Sequence, residues 1–279
     1  MKRKLALVLS MIVMGAVLFT GCGSKSVTAD GTKSEGETFK VGLECGYAPF
    51  NWTQSDDSNG AVPIEGSSEY AGGYDIQIAK KIADGLGKEL VVVKTEWDGL
   101  VPALVSGKID AIIAGMSPTE ERKQTIDFSD NYYKSDLVMV VKKGGAYEKA
   151  TKLADFSGAK ITAQLNTFHY TVIDQIDGVL KQTAMDNFPA MRVALESGVI
   201  DGYVSERPEG ISATSANPNF TMVQFEDGFQ TDDSDTAIAV GLQKDSELTS
   251  KINEILAGIS EEDRKALMDS AIKQQPAAN

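Results

Sequence analysis

One arginine and the turn before it carry the first chemistry legible in the chain. Arg122 follows Ser117-Pro118-Thr119-Glu120, a run with the form of a capping box and proline at the first helical position. Just upstream lies Ile109 to Ala114, short, apolar and rich in β-branched residues, as a covered parallel strand should be. In open α/β sheets, ligands bind outside the carboxyl ends of strands, where helix N-termini present free N–H groups. A guanidinium one turn into such a helix can hold a carboxylate. Before the strand, Asp98 is placed to cap a helix that puts Leu100, Val101 and Leu104 on one face. Gly107 is its expected left-handed stop.

The device occurs twice. Ala103-Leu104-Val105-Ser106-Gly107-Lys108-Ile109-Asp110-Ala111 returns as Ala194-Leu195-Glu196-Ser197-Gly198-Val199-Ile200-Asp201-Gly202, with Trp97 answered by Phe188. The repeat predicts two lobes on one βαβ plan. Continuing the register sets Gly115 against Glu206, so the two strand ends are expected to face each other across a cleft. Thr167 stands at another strand-to-helix turn, after Lys160–Ala163, where a hydroxyl can cap a helix running through Tyr170, Val172, Ile173 and Ile176. Tyr47, Phe50 and Trp52 cluster just past the first strand, and of these Tyr47 is the strongest candidate to meet a ligand.

The elements that must position these residues follow from periodicity. Strands are expected at Phe39–Leu43, Leu90–Lys94, Leu137–Lys142 and Thr236–Leu242. A helix after Gly72-Gly73-Tyr74-Asp75 presents Ile76, Ala79, Ile82, Ala83 and Leu86 on one face and ends at Gly87. Gln54 to Ala71 reads as a polar surface excursion. Amphipathic helices at Glu247–Ile259 and Glu262–Ile272 close the chain, packing back on the first lobe. A crossing between lobes is expected near Lys134 to Leu137.

Residues 1–21 read as a lipoprotein signal peptide: Met1-Lys2-Arg3-Lys4 is basic, Leu5 to Phe19 is apolar, and the run ends at Leu18-Phe19-Thr20-Gly21-Cys22. Cys22 is the expected lipidation site, and 22–38 a lipid-anchored flexible tether. Cys45 is the only other cysteine, so no intrachain disulfide is expected once Cys22 is lipidated. A formal net charge of −13 argues against nucleic acid as a partner.

Five runs in order carry a resemblance: Tyr47-Ala48-Pro49-Phe50, Gly73-Tyr74-Asp75-Ile76, Trp97-Asp98-Gly99-Leu100-Val101-Pro102-Ala103-Leu104, Ala114-Gly115-Met116-Ser117-Pro118-Thr119-Glu120-Glu121-Arg122 and Ile126-Asp127-Phe128-Ser129. Over essentially all of residues 39–275 the chain resembles type II periplasmic-type solute-binding proteins of polar amino-acid ABC importers (extracellular solute-binding protein family 3). The pattern is most similar to the lysine/arginine/ornithine and histidine binders. The resemblance implies an α/β, two-lobe periplasmic-binding-protein-like fold, each lobe a mostly parallel sheet flanked by helices, joined by a two-stranded hinge. Lobe 1 would comprise 39–136 and 232–279, and lobe 2 137–231.

The same resemblance implies the ligand contacts. Arg122 would pair bidentately with the ligand's α-carboxylate, aided by Ser117 and, from the other lobe, Thr167. Gly115 would accept from the α-ammonium through its carbonyl, with Met116 beside it. Glu206 stands where the family usually has aspartate for that ammonium. Tyr47 and Trp97 would sandwich the ligand's side chain. Glu44 would receive a side-chain cation, which favours arginine or lysine, because a carboxylate in a desolvated pocket is costly unless something positive meets it. Asn166 and Phe168 depart from the small residues usual in their loop; Asn166 can adopt a left-handed turn, and Phe168 could narrow the pocket or stack on a guanidinium.

The implied function is a monomeric, lipid-anchored binder on the extracytoplasmic face that delivers a free L-amino acid to an ABC permease. No catalytic residue, cofactor or metal is expected. His169, the only histidine, lacks metal partners at useful spacing and reads as a surface or structural residue. Rival readings are a glutamine, histidine or cystine binder of the same family, a cyclohexadienyl dehydratase-like enzyme on this fold, and an extracellular sensor module.

Overall fold

The computed structural model describes residues 38–276; the signal peptide, Cys22 and nearly all of the tether lie outside them. Two five-stranded sheets make the two lobes. In the first, the order is Glu89–Lys94, Thr38–Leu43, Ala111–Ile112, Ala237–Leu242, Asp127–Lys134. In the second it is Leu180–Lys181, Lys160–Thr162, Gly202–Glu206, Leu137–Lys142, Phe220–Val223. The chain passes to the second sheet between Lys134 and Leu137 and returns between Val223 and Ala237.

Each sheet is mostly parallel, as expected, with four strands running one way and a single strand reversed. Thr38–Leu43 pairs in parallel with both its neighbours, whereas Ala237–Leu242 is antiparallel to both of its own. In the second sheet Leu137–Lys142 is the antiparallel strand. The physical reason is the hinge. A strand arriving from the other lobe starts at the cleft end of its new sheet, while the strands of the βαβ units finish there. Its direction is therefore reversed.

The sequence repeat is a structural one. Trp97–Val105 and Phe188–Ser197 are helices, each followed by a glycine at positive φ, Gly107 at 74° and Gly198 at 78°. Ser106 Oγ donates to the Ala103 carbonyl and Ser197 Oγ to that of Ala194, both at 3.1 Å. The aspartates explain why the motif needs its acid. Asp110 Oδ2 accepts from the Lys40 N–H, and Asp201 Oδ2 from the Lys160 N–H, each at 2.8 Å. The N–H groups of the same aspartates donate back to the Lys40 and Lys160 carbonyls. Each acid thus pins the turn to a neighbouring parallel strand of its own lobe, Thr38–Leu43 or Lys160–Thr162. Asp110→Ala and Asp201→Ala are expected to cost about 1 kcal/mol each, adding in the double variant because they lie in different lobes. That is about 2–4 °C per substitution in thermal unfolding; no loss in either single variant would contradict the pinning role.

Other local expectations shift. The strand expected over Ile109–Ala114 pairs only at Ala111–Ile112, although Ile109 and 111–118 are all buried. Asp98 is not a cap: Glu96 holds that position without a side-chain bond, and Asp98 lies in the first turn. Gln54–Ala71 is not a plain excursion, since Asn51–Gln54, Val62–Pro63 and Tyr70–Gly72 join Gly46–Tyr47 in a small antiparallel sheet. The helix Tyr74–Leu86 forms with Ile76, Ile78, Ala79 and Ile82 buried, and Gly87 ends it at φ 66°. Leu248–Ala257 and Glu261–Gln274 are the closing helices. One apolar cluster runs through the first lobe and continues across the cleft into Phe188, Met191, Leu195 and Tyr203.

Candidate functional site

The turn before Arg122 folds differently from the capping box read at Ser117. The helix spans Glu120–Lys123, and Thr119 is its cap, accepting from the Arg122 N–H. Proline at 118 therefore precedes the cap, and Ser117 is freed for another role. Its hydroxyl donates to the Asp235 carbonyl at 2.7 Å and its carbonyl accepts from Arg122 Nη1 at 3.0 Å. Arg122 Nη2 donates to the Asn166 carbonyl of the second lobe, also at 3.0 Å, and the guanidinium lies over Trp97, 5.1 Å from the ring centroid. Both hydrogen bonds go to backbone carbonyls. Burial pushes the guanidinium down to about 10, so it keeps its charge at neutral pH.

Gly115 sits at φ 61° with a Cβ position only 2.5 Å from the Tyr47 ring, so no side chain fits there. Its N–H donates to the Tyr132 hydroxyl, which in turn donates to Asp75 Oδ1 at 2.7 Å. Asn51 completes the support on Asp75 Oδ2. Burial pushes the Asp75 carboxyl up to about 6, against the hydrogen bonds from Asn51 and Tyr132. The Gly73-Tyr74-Asp75 motif marks this place in the sequence, but the support that Asp75, Tyr132 and Asn51 give Gly115 is visible only in the fold. Met116 is buried, and its carbonyl accepts from Ala239 N–H. Like Glu44, Asn166 and Glu206, it stands behind the residues that line the small cavity between the lobes.

Across the cleft, Glu206 ends the strand Gly202–Glu206 and is 2% exposed. The Tyr47 hydroxyl donates to its Oε2, and the Tyr47 ring stacks on Phe188 with centroids 4.5 Å apart. His169 Nε2 lies 3.0 Å from Glu206 Oε1. Burial pushes the Glu206 carboxyl up, but the neighbouring His169 and the Tyr47 hydroxyl outweigh it and hold the group below its ordinary value. His169 is therefore not a surface residue; it is 6% exposed. In the sequence Phe188 stands only as the echo of Trp97, and nothing in its own neighbourhood signals the contact with Tyr47.

Thr167 is the cap residue of a helix of only five residues, Phe168–Val172, but its hydroxyl makes no capping bond. It donates instead to the Gln164 carbonyl at 2.7 Å. Asn166 takes up the left-handed conformation at φ 55°, and its Nδ2 donates to Asp98 Oδ1 in the first lobe at 2.8 Å. Phe168 packs on His169, ring centroids 4.2 Å apart. Glu44 is 8% exposed and faces Gln164 of the second lobe, whose Nε2 lies 3.1 and 3.3 Å from its two oxygens. Gln164 also donates to the Asp186 carbonyl. Desolvation pushes the Glu44 carboxyl up to about 7, eased by the Gln164 hydrogen bond and reinforced by Glu96 and Asp98. Cys45, next to it, is a buried free thiol pushed up to about 12, burial first.

The lobes are thus closed on one another through Tyr47–Glu206, Asp98–Asn166, Arg122–Asn166 and Glu44–Gln164. Tyr47, Trp97, Gly115, Ser117, Arg122, Gln164, Thr167, Phe168 and His169 surround a cavity of about 10 Å³, room for one water. Anything the size of an amino acid can reach this site only if the lobes part. Among the described residues no cluster of His, Cys, Asp or Glu suits a metal ion, and no helix is long and apolar enough to cross a membrane.

This geometry has counterparts. The profile of the bacterial extracellular solute-binding proteins, family 3, matches residues 39–271. A probable histidine-binding protein of Campylobacter jejuni is 31% identical over 239 residues, covering 85% of this chain and 84% of the relative. The arginine-binding extracellular protein ArtP of Bacillus subtilis is 26% identical, covering 92% of each. An amino acid ABC transporter substrate-binding protein from Streptococcus pneumoniae, solved bound to L-arginine, superposes with a TM-score of 0.76 at 26% identity, covering 86% of this chain and 95% of that one. With a profile match over nearly the whole described chain and two lobes closing on a polar cleft, the protein belongs to the bacterial extracellular solute-binding proteins of family 3.

Proposed function

We propose that the protein captures a free L-amino acid between its lobes, with arginine or lysine preferred, and presents it to an ABC permease while anchored through a lipid on Cys22. The observation that carries this reading is a guanidinium and a carboxylate, Arg122 and Glu206, held at one small cleft from opposite lobes without spending their charge on each other. An amino-acid zwitterion matches that pair, carboxylate to Arg122 and ammonium to Glu206. Ser117 and Thr167 supply further donors, and the Gly115 carbonyl a further acceptor. Glu44 then faces the side chain, and its raised carboxyl is relieved by a cation. Binding to both lobes at once is what shifts a hinge equilibrium toward closure.

A second reading rests on Gln164. It already serves both oxygens of Glu44, and a protonated Glu44 would suit a neutral side chain such as that of glutamine or histidine. Thermal-shift measurements against the twenty common amino acids separate the two. Arginine or lysine is expected to give the largest rise, since a ligand at one hundred times its Kd adds about 2.7 kcal/mol. A larger rise with glutamine or histidine would favour the second reading. A flat response to all twenty would remove both.

A further inference from the structure

His169 is the one buried titratable side chain at the cleft that the zwitterion clamp leaves without a task. It is 6% exposed, and neither ring nitrogen has an aligned hydrogen-bond partner. Yet Nε2 comes within 3.0 Å of Glu206 Oε1, too close to be indifferent. The two oxygens of Glu206 are divided: Oε2 takes the Tyr47 hydroxyl, and Oε1 faces the imidazole. Oε1 is also where an incoming ammonium would sit. A buried carboxylate with one lone-pair direction open is costly, and an imidazolium is the one group at this position able to offset it.

We propose that His169 is a proton-carrying placeholder for the ligand's ammonium, so that capture of one amino acid at this site releases one proton. This inference rests on the reading of Glu206 as the ammonium site. Before the ammonium arrives, the imidazolium stands beside Glu206, its Nε2 3.0 Å from Oε1. When the ammonium arrives, two cations would compete for one carboxylate in a desolvated site, and the ring's proton is the mobile one. The N–H bond breaks, the proton passes to solvent, and the electron pair stays on the ring nitrogen. That lone pair then accepts from the ammonium beside Glu206 and the Gly115 carbonyl. One cation faces Glu206 before and after, so lobe closure does not bury two cations against one carboxylate.

The charges around the ring are consistent with this exchange. Glu206 is the carboxylate in contact. Arg122, across the cleft, disfavours a second buried cation. Tyr47 binds Glu206 as a neutral hydroxyl, held protonated by burial and by Glu206 itself. Asp75 and Glu209 act at longer range through Glu206 and Tyr47, and Glu44 lies at the other end of the cleft. On the ring's own element, Phe168 offers only an aromatic face.

Since the chain has one histidine, imidazole nitrogen NMR of untagged protein reads His169 alone. At a pH where Glu206→Gln shows a neutral ring, the wild type is expected to show the imidazolium pattern. Saturation of the wild type with L-arginine should convert that pattern to a neutral tautomer. Calorimetry in buffers of differing ionisation heat, on a Glu44→Gln background that removes the carboxyl facing the ligand's side chain, should count about one proton released. His169→Gln on that background should release none and bind roughly fivefold more weakly, the loss of about one hydrogen bond. Identical ring titrations in wild type and Glu206→Gln, or an imidazolium that persists in the arginine complex, would overturn the inference while leaving the clamp intact. Failure of L-arginine and every other common amino acid to bind would instead overturn the functional reading, and this inference with it.

Discussion

Arg122→Ala is expected to reduce amino-acid affinity by at least about 100-fold, the usual scale for removing one member of a buried, hydrogen-bonded charge pair. The guanidinium is prepared for a carboxylate before one arrives. Trp97 supports one face, and the Ser117 and Asn166 carbonyls fix its plane with two of its five donors. Three donors remain for a ligand. Arg122→Lys keeps the charge but not the fork, so it should fall between alanine and wild type. Calorimetry with L-arginine checks both variants, with circular dichroism to establish that they fold. Near-wild-type affinity in the alanine variant would remove Arg122 from the clamp.

Glu44→Gln is expected to separate ligands by charge. With its carboxyl raised to about 7, Glu44 in the wild type becomes an anion mainly above neutrality. Arginine or lysine affinity should therefore rise with pH between about 6 and 8, as the ionised form that pairs with the cation takes over. Glutamine should show no such rise. In the Gln variant the Glu44 part of that dependence disappears, and cationic ligands lose about 30-fold or more while a neutral ligand changes little. Equal losses for arginine and glutamine would argue that Glu44 does not meet the side chain.

The same group sets a stability trend. A carboxyl whose folded-state value is raised favours the folded state below its ordinary value of 4.5, and that contribution is lost as pH climbs through about 7. The loss amounts to about 3 kcal/mol. Asp75, raised to about 6, acts in the same direction. Ligand-free protein should thus be more stable at pH 5 than at pH 8, and Glu44→Gln should flatten the slope. A steeper slope in the variant would contradict the burial argument.

What the sequence determined by itself was carried by short-range chemistry. The A-L-x-S-G-x-I-D repeat announced two helix–turn–strand units. The structure gives both, down to matching glycines at φ 74° and 78° and matching aspartates on Lys40 and Lys160. The apolar spacing from Ile76 to Leu86, closed by Gly87, was enough for a helix. Even the left-handed Asn166 followed from its side chain. Such features depend on neighbours within a few residues, where periodicity and turn preferences act.

Tertiary structure alone decided what meets across the cleft. Glu44 and Gln164 are 120 positions apart and Tyr47 and Glu206 are 159 apart, and no local preference encodes such pairs. The hinge crossings, not composition, reverse one strand in each otherwise parallel sheet. The cap falls at Thr119, not Ser117, because the Ser117 hydroxyl is committed to the carbonyl of Asp235, 118 positions along the chain. His169 offered no signal in its own sequence context. Its burial against Glu206 exists only because the second lobe folds a five-residue helix over the end of the strand that carries that acid.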